Sequence, residues 1–416
     1  MQKVLMVAFH YPPYQGGSGV HRTLKFSRYL LDYGWSPVIL SARARAYPQV
    51  GEEQLREIPA QVVVERAFAL DTAKSLSFKG RYLRLMALPD QWASWWFCAV
   101  TSGLRLIREH RPSILWSTYP IATAHLIGLT LHRLTGLPWI ADFRDSMTED
   151  NYPRDIWSRR AFLWIERRVV KYAVRLVFTT ESTRGMYLAR YPNLAPERAL
   201  LLPNGYDEDD FNGLSELTPR LEQTPVRLLH AGVIYTDDRD PRAFFKALAR
   251  LKGEGKISAR TVNIDLRASG SEAYFAKIIS QYDIDDIVRL LPALSHRQAL
   301  QDCADADGLI LIQAASCNHQ IPAKVYEYFR LGRPILALTP AEGDTGKLVH
   351  EVSGGTVMDL ADEDTLYRRF PEFLDSVRHN SHSLPDRQQA RKYARRYQAA
   401  QLSRHMFECL EPAGRQ

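Results

Sequence analysis

A chain of 416 residues is longer than a single hydrophobic core usually fills, so two domains of roughly 150 to 250 residues each are expected. Formal charge is +7, from 54 Lys+Arg against 47 Asp+Glu, which favours an anionic partner but falls far below the density of a nucleic-acid-binding tail. Four cysteines (Cys98, Cys303, Cys317, Cys409) without paired spacing argue against a disulfide framework and a zinc site, and point to a reducing cytoplasm.

In chain order, short β-branched runs alternate with longer amphipathic ones. Val4 to Phe9 is too short for a signal-peptide apolar region and reads as a first strand, followed by a helix over Ser18 to Tyr33. Pro37 to Ser41, Val62 to Arg66, Ile114 to Thr118, Trp139 to Phe143, Leu176 to Thr179 and Leu200 to Pro203 continue the strands. Pro112 to His132 lacks Asp, Glu, Lys and Arg and is long enough to cross a bilayer, but Pro120 near its centre divides it into strand and helix. Between Asn204 and Pro225 an Asn-Gly pair, an acidic run and two prolines replace the pattern, which reads as a linker.

The rhythm restarts with strands at Arg227 to Gly232, Val262 to Ala268, Val288 to Leu291, Gly308 to Ile312, Pro334 to Leu338 and Thr356 to Leu360. The expected fold is α/β: two doubly wound, Rossmann-like parallel-sheet domains over 1–205 and 206–384. Residues 385–416 form a basic helical tail, starting at Pro385-Asp386, that packs back toward the first domain.

Ligands of such sheets bind beyond the carboxyl ends of the strands, so the motifs there carry the functional reading. The loop His10 to Gly19 places Gly16 and Gly17 at a helix start, where backbone N–H groups can approach a phosphate. A third fingerprint glycine is missing, since Arg22 stands there, and this disfavours a nicotinamide-dependent oxidoreductase. Asp142, Arg144 and Asp145 close another first-domain strand, either as a polar pocket or as an ion pair of Arg144 with an aspartate. His230 and Gly232 close the first strand of the second domain. Arg239 and Arg242 follow near a helix start, placed for a diphosphate or for a capping ion pair with Asp240.

The segment Ile321 to Leu338 is the most specific. A helix starting at Pro322 and ending at Gly332 leaves its first N–H groups to an anion, Lys324 adds a charge in the first turn, and Glu327 can accept from ribose hydroxyls. The same spacing also suits an ordinary surface ion pair. Two other stretches have two readings each. Trp92, Trp95, Trp96 and Phe97 are core or a lipid contact. Arg159, Arg160, Arg167, Arg168, Lys171 and Arg175, with Phe162, Leu163 and Ile165, are a solvated face or a helix lying on anionic membrane.

Taken together, Tyr11-Pro12-Pro13 with Gly16-Gly17, Asp142 to Asp145, Leu202 to Asp207, His230-Ala231-Gly232 and Ile321 to Glu327 resemble, in this order, the retaining family 4 glycosyltransferases. The resemblance covers nearly the whole chain and implies the GT-B arrangement: acceptor domain first, nucleotide-sugar domain second, a central cleft, and a C-terminal helix crossing back. Of the two family glutamates separated by seven residues, Glu327 matches the second and implies ribose binding, while His319 stands at the first, as in a branch with a Pro-x-Lys motif.

The implied reaction is sugar transfer from a UDP- or GDP-sugar to a glycan or lipid-linked acceptor with retention of configuration. It takes place in the cytoplasm or at the inner face of the plasma membrane, in bacterial cell-surface polysaccharide synthesis. The resemblance implies no cofactor, no metal and no nucleic acid. Arg239 and Lys324, with Arg242, would neutralise the phosphates; Gly16 and Gly17 would touch them from the first domain; Asp145 would lie near the sugar or acceptor. Asp142, Arg144, His230, Gly232 and His319 complete the expected site. A nucleotide-sugar epimerase and a noncatalytic scaffold of a polysaccharide assembly complex are the alternatives.

Overall fold

Strand β1 (Gln2–Val7) shows why the sheets form: Val4 and Met6 face one side and Leu5 and Val7 the other, all fully buried, the pattern of a strand covered on both faces. The structure, a computed structural model, describes residues 1–75, 84–150, 152–215, 225–236 and 239–411, so the middle of the expected linker (216–224) lies outside the described residues. Backbone contacts divide the chain into two units: Met1–Asn204 with Arg395–Gln416, and Gly205–Ala394.

The first unit adds β2 (Trp35–Ala42), β3 (Val63–Ala67), β4 (Ile114–Thr118), β5 (Trp139–Arg144), β6 (Arg175–Phe178) and β7 (Ala199–Leu201). Their order is β3-β2-β1-β4-β5-β6-β7, with every pair parallel. Its helices are α1 (Gly17–Tyr29), α2 (Thr72–Ser75), α3 (Trp95–His110), α4 (Ala122–Thr135), α5 (Ile156–Tyr172) and α6 (Glu181–Arg190). Leu5, Val7 and Phe9 pack with Trp95, Ile127 and Phe162 on one face, and Val4, Met6 and Ala8 with Leu24, Phe26 and Trp116 on the other. Strand order reverses between β1 and β4, which opens a ligand crevice at their carboxyl ends.

The second unit is built likewise from β8 (Val226–Ala231), β9 (Val262–Arg267), β10 (Val288–Leu291), β11 (Gly308–Ile312), β12 (Ile335–Leu338) and β13 (Thr356–Met358), in the order β10-β9-β8-β11-β12-β13. Its helices are α7 (Arg242–Gly253), α8 (Glu272–Gln281), α9 (His296–Asp305), α10 (Lys324–Leu331), α11 (Asp344–Glu351), α12 (Glu363–Arg378) and α13 (Arg387–Ala390). Ile310 and Ile312 enter one core and Leu309 and Leu311 the other. The switch point here lies between β8 and β11.

The last helix, α14 (Arg395–Glu408), belongs to the first unit, where Ala399, Leu402 and Met406 pack with Leu24, Phe26 and Trp35. The tail is thus two helices, interrupted at Ala394, whose extended backbone (φ −66°, ψ 134°) forms a bridge with Tyr206. Pro322 lies two residues before α10, in a tight turn in which the Pro322 carbonyl accepts from the Val325 N–H at 3.1 Å. The charge-free stretch divides into β4 and α4, and no helix of the described residues is long and apolar enough to cross a membrane. Among the four aromatics ahead of and within α3, Trp95 is fully buried and Trp92 and Trp96 are half-buried against the core, whereas Phe97 is 68% exposed.

Candidate functional site

In the second unit the site is assembled at the switch point. His230 sits at the end of β8 with Nδ1 3.0 Å from the Ile310 carbonyl of β11. A carbonyl only accepts, so Nδ1 carries the proton, and Nε2 is left to accept from the Lys324 ammonium at 3.2 Å. Burial, reinforced by Lys324, holds the His230 imidazole well below its usual range, in its neutral form. Gly232 has φ +112°, and a Cβ there would stand 3.0 Å from Lys324 Nζ, so glycine meets a backbone requirement and leaves space for the ammonium.

Lys324 opens α10 and is pushed down to about 7, by burial first and then by the Arg239 guanidinium. Arg239 lies 5.4 Å over the Tyr235 ring, with Nε buried and without a hydrogen-bond partner. Among the described residues neither cation forms an ion pair. One turn along α10, Glu327 Oε1 lies 3.1 Å from His296 Nε2 at the start of α9. That helix starts at a capping box, in which Ser295 and Gln298 each satisfy the other's backbone, and this fixes His296 in its first turn.

A cavity of about 320 Å³ opens between these groups, lined by Gly232, Lys324, Glu327, His296, Cys303 and Tyr328 and by an apolar wall of Ala268, Leu294, Ala299 and Leu300. An apolar wall, one carboxylate and the Lys324 ammonium, which has no ion-pair partner among the described residues, match the three parts of a nucleoside diphosphate, namely base, ribose and phosphates; the other cation of the lining, Arg267, is paired with Asp302. Arg242 is not part of this lining: it is exposed and pairs with Asp240 at 2.5 Å, while the Asp240 carboxylate also accepts from the Arg242 N–H in the turn just ahead of α7. His319 also lies outside the lining, in a loop whose Cys317 and Gln320 carbonyls are held by Gln313.

In the first unit, α1 begins at Gly17 with no side chain capping its N-terminus, and Gly16 takes φ +138°, a backbone that only glycine adopts easily. Arg144 ends β5 at a bulge, with a left-handed backbone (φ +59°) and a buried guanidinium whose Nη1 donates to the Tyr119 carbonyl at 3.3 Å. Strain of this kind in a non-glycine residue concentrates at functional sites. A Cβ at Gly19 would meet Arg144 Nη1 at 2.6 Å and His10 Nδ1 at 3.2 Å, so the first turn of α1, Arg144 and His10 converge. His10 stacks on Tyr14 with centroids 4.3 Å apart and is lowered to about 3, by burial and then by Arg144. Asp145 follows Arg144 in the same loop.

Asp142 has a different task from the one its sequence position implies. It is fully buried, and both its oxygens accept from Arg22, at 2.9 and 3.0 Å, while Oδ2 also accepts from Thr118. Arg22 in turn donates to the Leu202 and Pro203 carbonyls, so this pair ties α1, β4, β5 and the end of β7 together instead of meeting a ligand. Sequence reasoning did not anticipate His10, His296, Cys303 or this use of Arg22. Only Arg22 had a signal, a charge in place of a glycine one turn into a helix that packs on the sheet.

Residues 16–205 match the glycosyl transferase 4-like domain. Solved structures extend the likeness to both units, and the fold is GT-B. Sucrose-phosphate synthase from Thermosynechococcus elongatus is 14% identical with a TM-score of 0.65, over 98% of this chain and 100% of that one. WaaG, a glycosyltransferase involved in lipopolysaccharide biosynthesis, is 14% identical with a TM-score of 0.59, over 99% and 100%. The UDP-GlcNAc 2-epimerase of Methanocaldococcus jannaschii is 8% identical with a TM-score of 0.56, over 98% and 100%. No curated protein matches the chain.

Proposed function

We propose that the chain is a glycosyltransferase that takes a sugar from a nucleoside diphosphate donor held by the second unit. The observation that carries this reading is Lys324, which lines the cavity, together with Arg239, which lies outside the lining but bears on the Lys324 ammonium; neither has an ion-pair partner among the described residues. A half-buried cation without an anion is unfavourable unless a ligand supplies one. Binding the diphosphate would bring Lys324 back to its full charge. As the glycosidic bond breaks, charge builds on the leaving phosphate oxygen, and both cations are already in place to stabilise it.

Glu327 holds the ribose hydroxyls and His296 orients its carboxylate. His230 acts through Lys324, as a positioning residue. In the first unit Gly16, Gly17, Arg144 and Asp145 serve the acceptor; the leaving diphosphate takes the acceptor proton, so that configuration is retained. The two cations do the work of a divalent metal, and a chelator should leave turnover unchanged. We place the acceptor among glycans or lipid-linked glycans of cell-surface polysaccharide, a reading supported by the likeness to WaaG. Epimerisation by elimination and readdition of the nucleotide is disfavoured because the lining offers one carboxylate, Glu327.

The test is a panel of UDP-, GDP- and ADP-linked sugars scored by the rise in melting temperature, followed by anomeric analysis of the product. If no nucleotide raises the melting temperature, the proposal fails; if one does and the product is an epimer of the free donor, the transferase reading gives way to the epimerase.

A further inference from the structure

The outer face of α5 carries a pattern that the sugar chemistry does not use. At 100° per residue, Trp157, Arg160, Trp164, Arg168 and Lys171 fall on one stripe, nearly opposite the buried Phe162, Ile165 and Val169. Trp157 and Trp164 are 49% and 46% exposed, an unusual position for the largest apolar side chain. The single acid of the helix, Glu166, is buried and bonded to Arg190, so no carboxylate of α5 neutralises the stripe. Its positive character extends to α4, where Arg133 lies 4.9 Å over the Tyr172 ring that Lys171 also approaches, at 5.2 Å.

From this face we propose that the first unit docks on a membrane containing anionic lipid, with α5 lying in the plane of the headgroups. Indole rings prefer the boundary between headgroups and acyl chains, and arginine and lysine above it meet lipid phosphates. A single-stranded nucleic acid would also fit a row of cations and aromatics, but it needs open aromatic faces for its bases to stack on. Here the Arg168 guanidinium covers Trp164 at 3.6 Å and Arg160 lies 5.3 Å over Trp157, so cations already occupy the ring faces. The ring edges remain to enter lipid, which favours the membrane. This surface does not depend on the proposed transfer reaction.

The experiment is flotation of the full chain with vesicles of phosphatidylcholine alone or mixed with phosphatidylglycerol. The expected result is binding to the mixed vesicles, with a blue shift of tryptophan emission, and roughly tenfold weaker binding for the double variant Arg160→Glu, Lys171→Glu. Trp157→Ala with Trp164→Ala should abolish the emission shift. Arg108→Glu with Arg404→Glu, the same charge change at exposed positions outside the stripe, should bind like the unmodified protein. Unchanged far-ultraviolet dichroism and melting temperature keep folding out of the comparison. Equal loss for both charge-reversed pairs, no binding to mixed vesicles, or binding to single-stranded RNA but not to vesicles would each overturn the proposal.

Discussion

The two units place charges at the same point of the same fold and treat them oppositely. In the first, the Arg22 guanidinium and the Asp142 carboxylate are completely buried and satisfy each other, with Thr118 and two carbonyls taking the remaining bonds. In the second, Lys324 and Arg239 approach each other near the switch point, and the nearest polar contact of the ammonium is a neutral imidazole. A closed pair holds elements in place, whereas an open pair of like charges raises the energy of the empty protein and is relieved by an anion. The partner each cation has, more than its position in the sheet, separates architecture from function.

Removing one half of the closed pair gives the largest expected effect. Asp142→Ala leaves Arg22 buried and uncompensated, and should cost about 3–5 kcal/mol in urea unfolding; a loss below about 1 kcal/mol would mean that the pair is not what ties these elements together. The open pair should behave in the reverse sense. Lys324→Met removes a desolvated cation, so unfolding stability should hold or rise while nucleotide affinity measured by calorimetry falls by roughly 2–3 kcal/mol. A parallel fall in stability would break the comparison.

Gly232→Ala puts a Cβ against the ammonium in a backbone that disfavours it, and should cost about 1–3 kcal/mol in stability, with weaker nucleotide binding. The mildest test is pH. Lys324 in the free protein is lowered to about 7 and a bound diphosphate raises it, so binding takes up a proton above that value. Affinity should stay level below about pH 7 and decline above it by at most about tenfold per unit, and calorimetry in buffers of different ionisation enthalpy should register the uptake. Affinity independent of pH between about 7 and 9 would remove Lys324 from the phosphate site.

The strands were legible because both faces of each sheet are covered, which leaves runs such as Gly308 to Ile312 apolar throughout; β4, β10 and β11 fall where the sequence places them. Lys324, Glu327, His230 and Gly232 were legible as neighbours because they close strands or open helices at one sheet edge; the structure brings Lys324, Glu327 and Gly232 to the cavity, with His230 and Arg239 bearing on Lys324. The fate of Asp142 was not legible, because its partner Arg22 is 120 residues away and nothing local distinguishes a buttress from a ligand contact. Arg242 was ambiguous for a local reason: Asp240 two residues before it could pair with it or stand aside, and it pairs. His296 and Cys303 carried no functional signal, since they reach the site from α9, whose Ser295-to-Gln298 capping box marks a helix start but names no ligand.

Helix α14 also has a consequence for how the protein is made. The sheet face of the first unit that holds Val4, Leu24 and Trp35 is completed by Ala399, Leu402 and Met406, and Gln398 donates to the Asn204 carbonyl at the point where the chain leaves that unit. During synthesis the second unit, Gly205–Ala394, is fully available before the first has all of its wall. A nascent chain stopped at residue 394 would therefore expose the apolar groove that Leu402 and Met406 fill in the folded first unit.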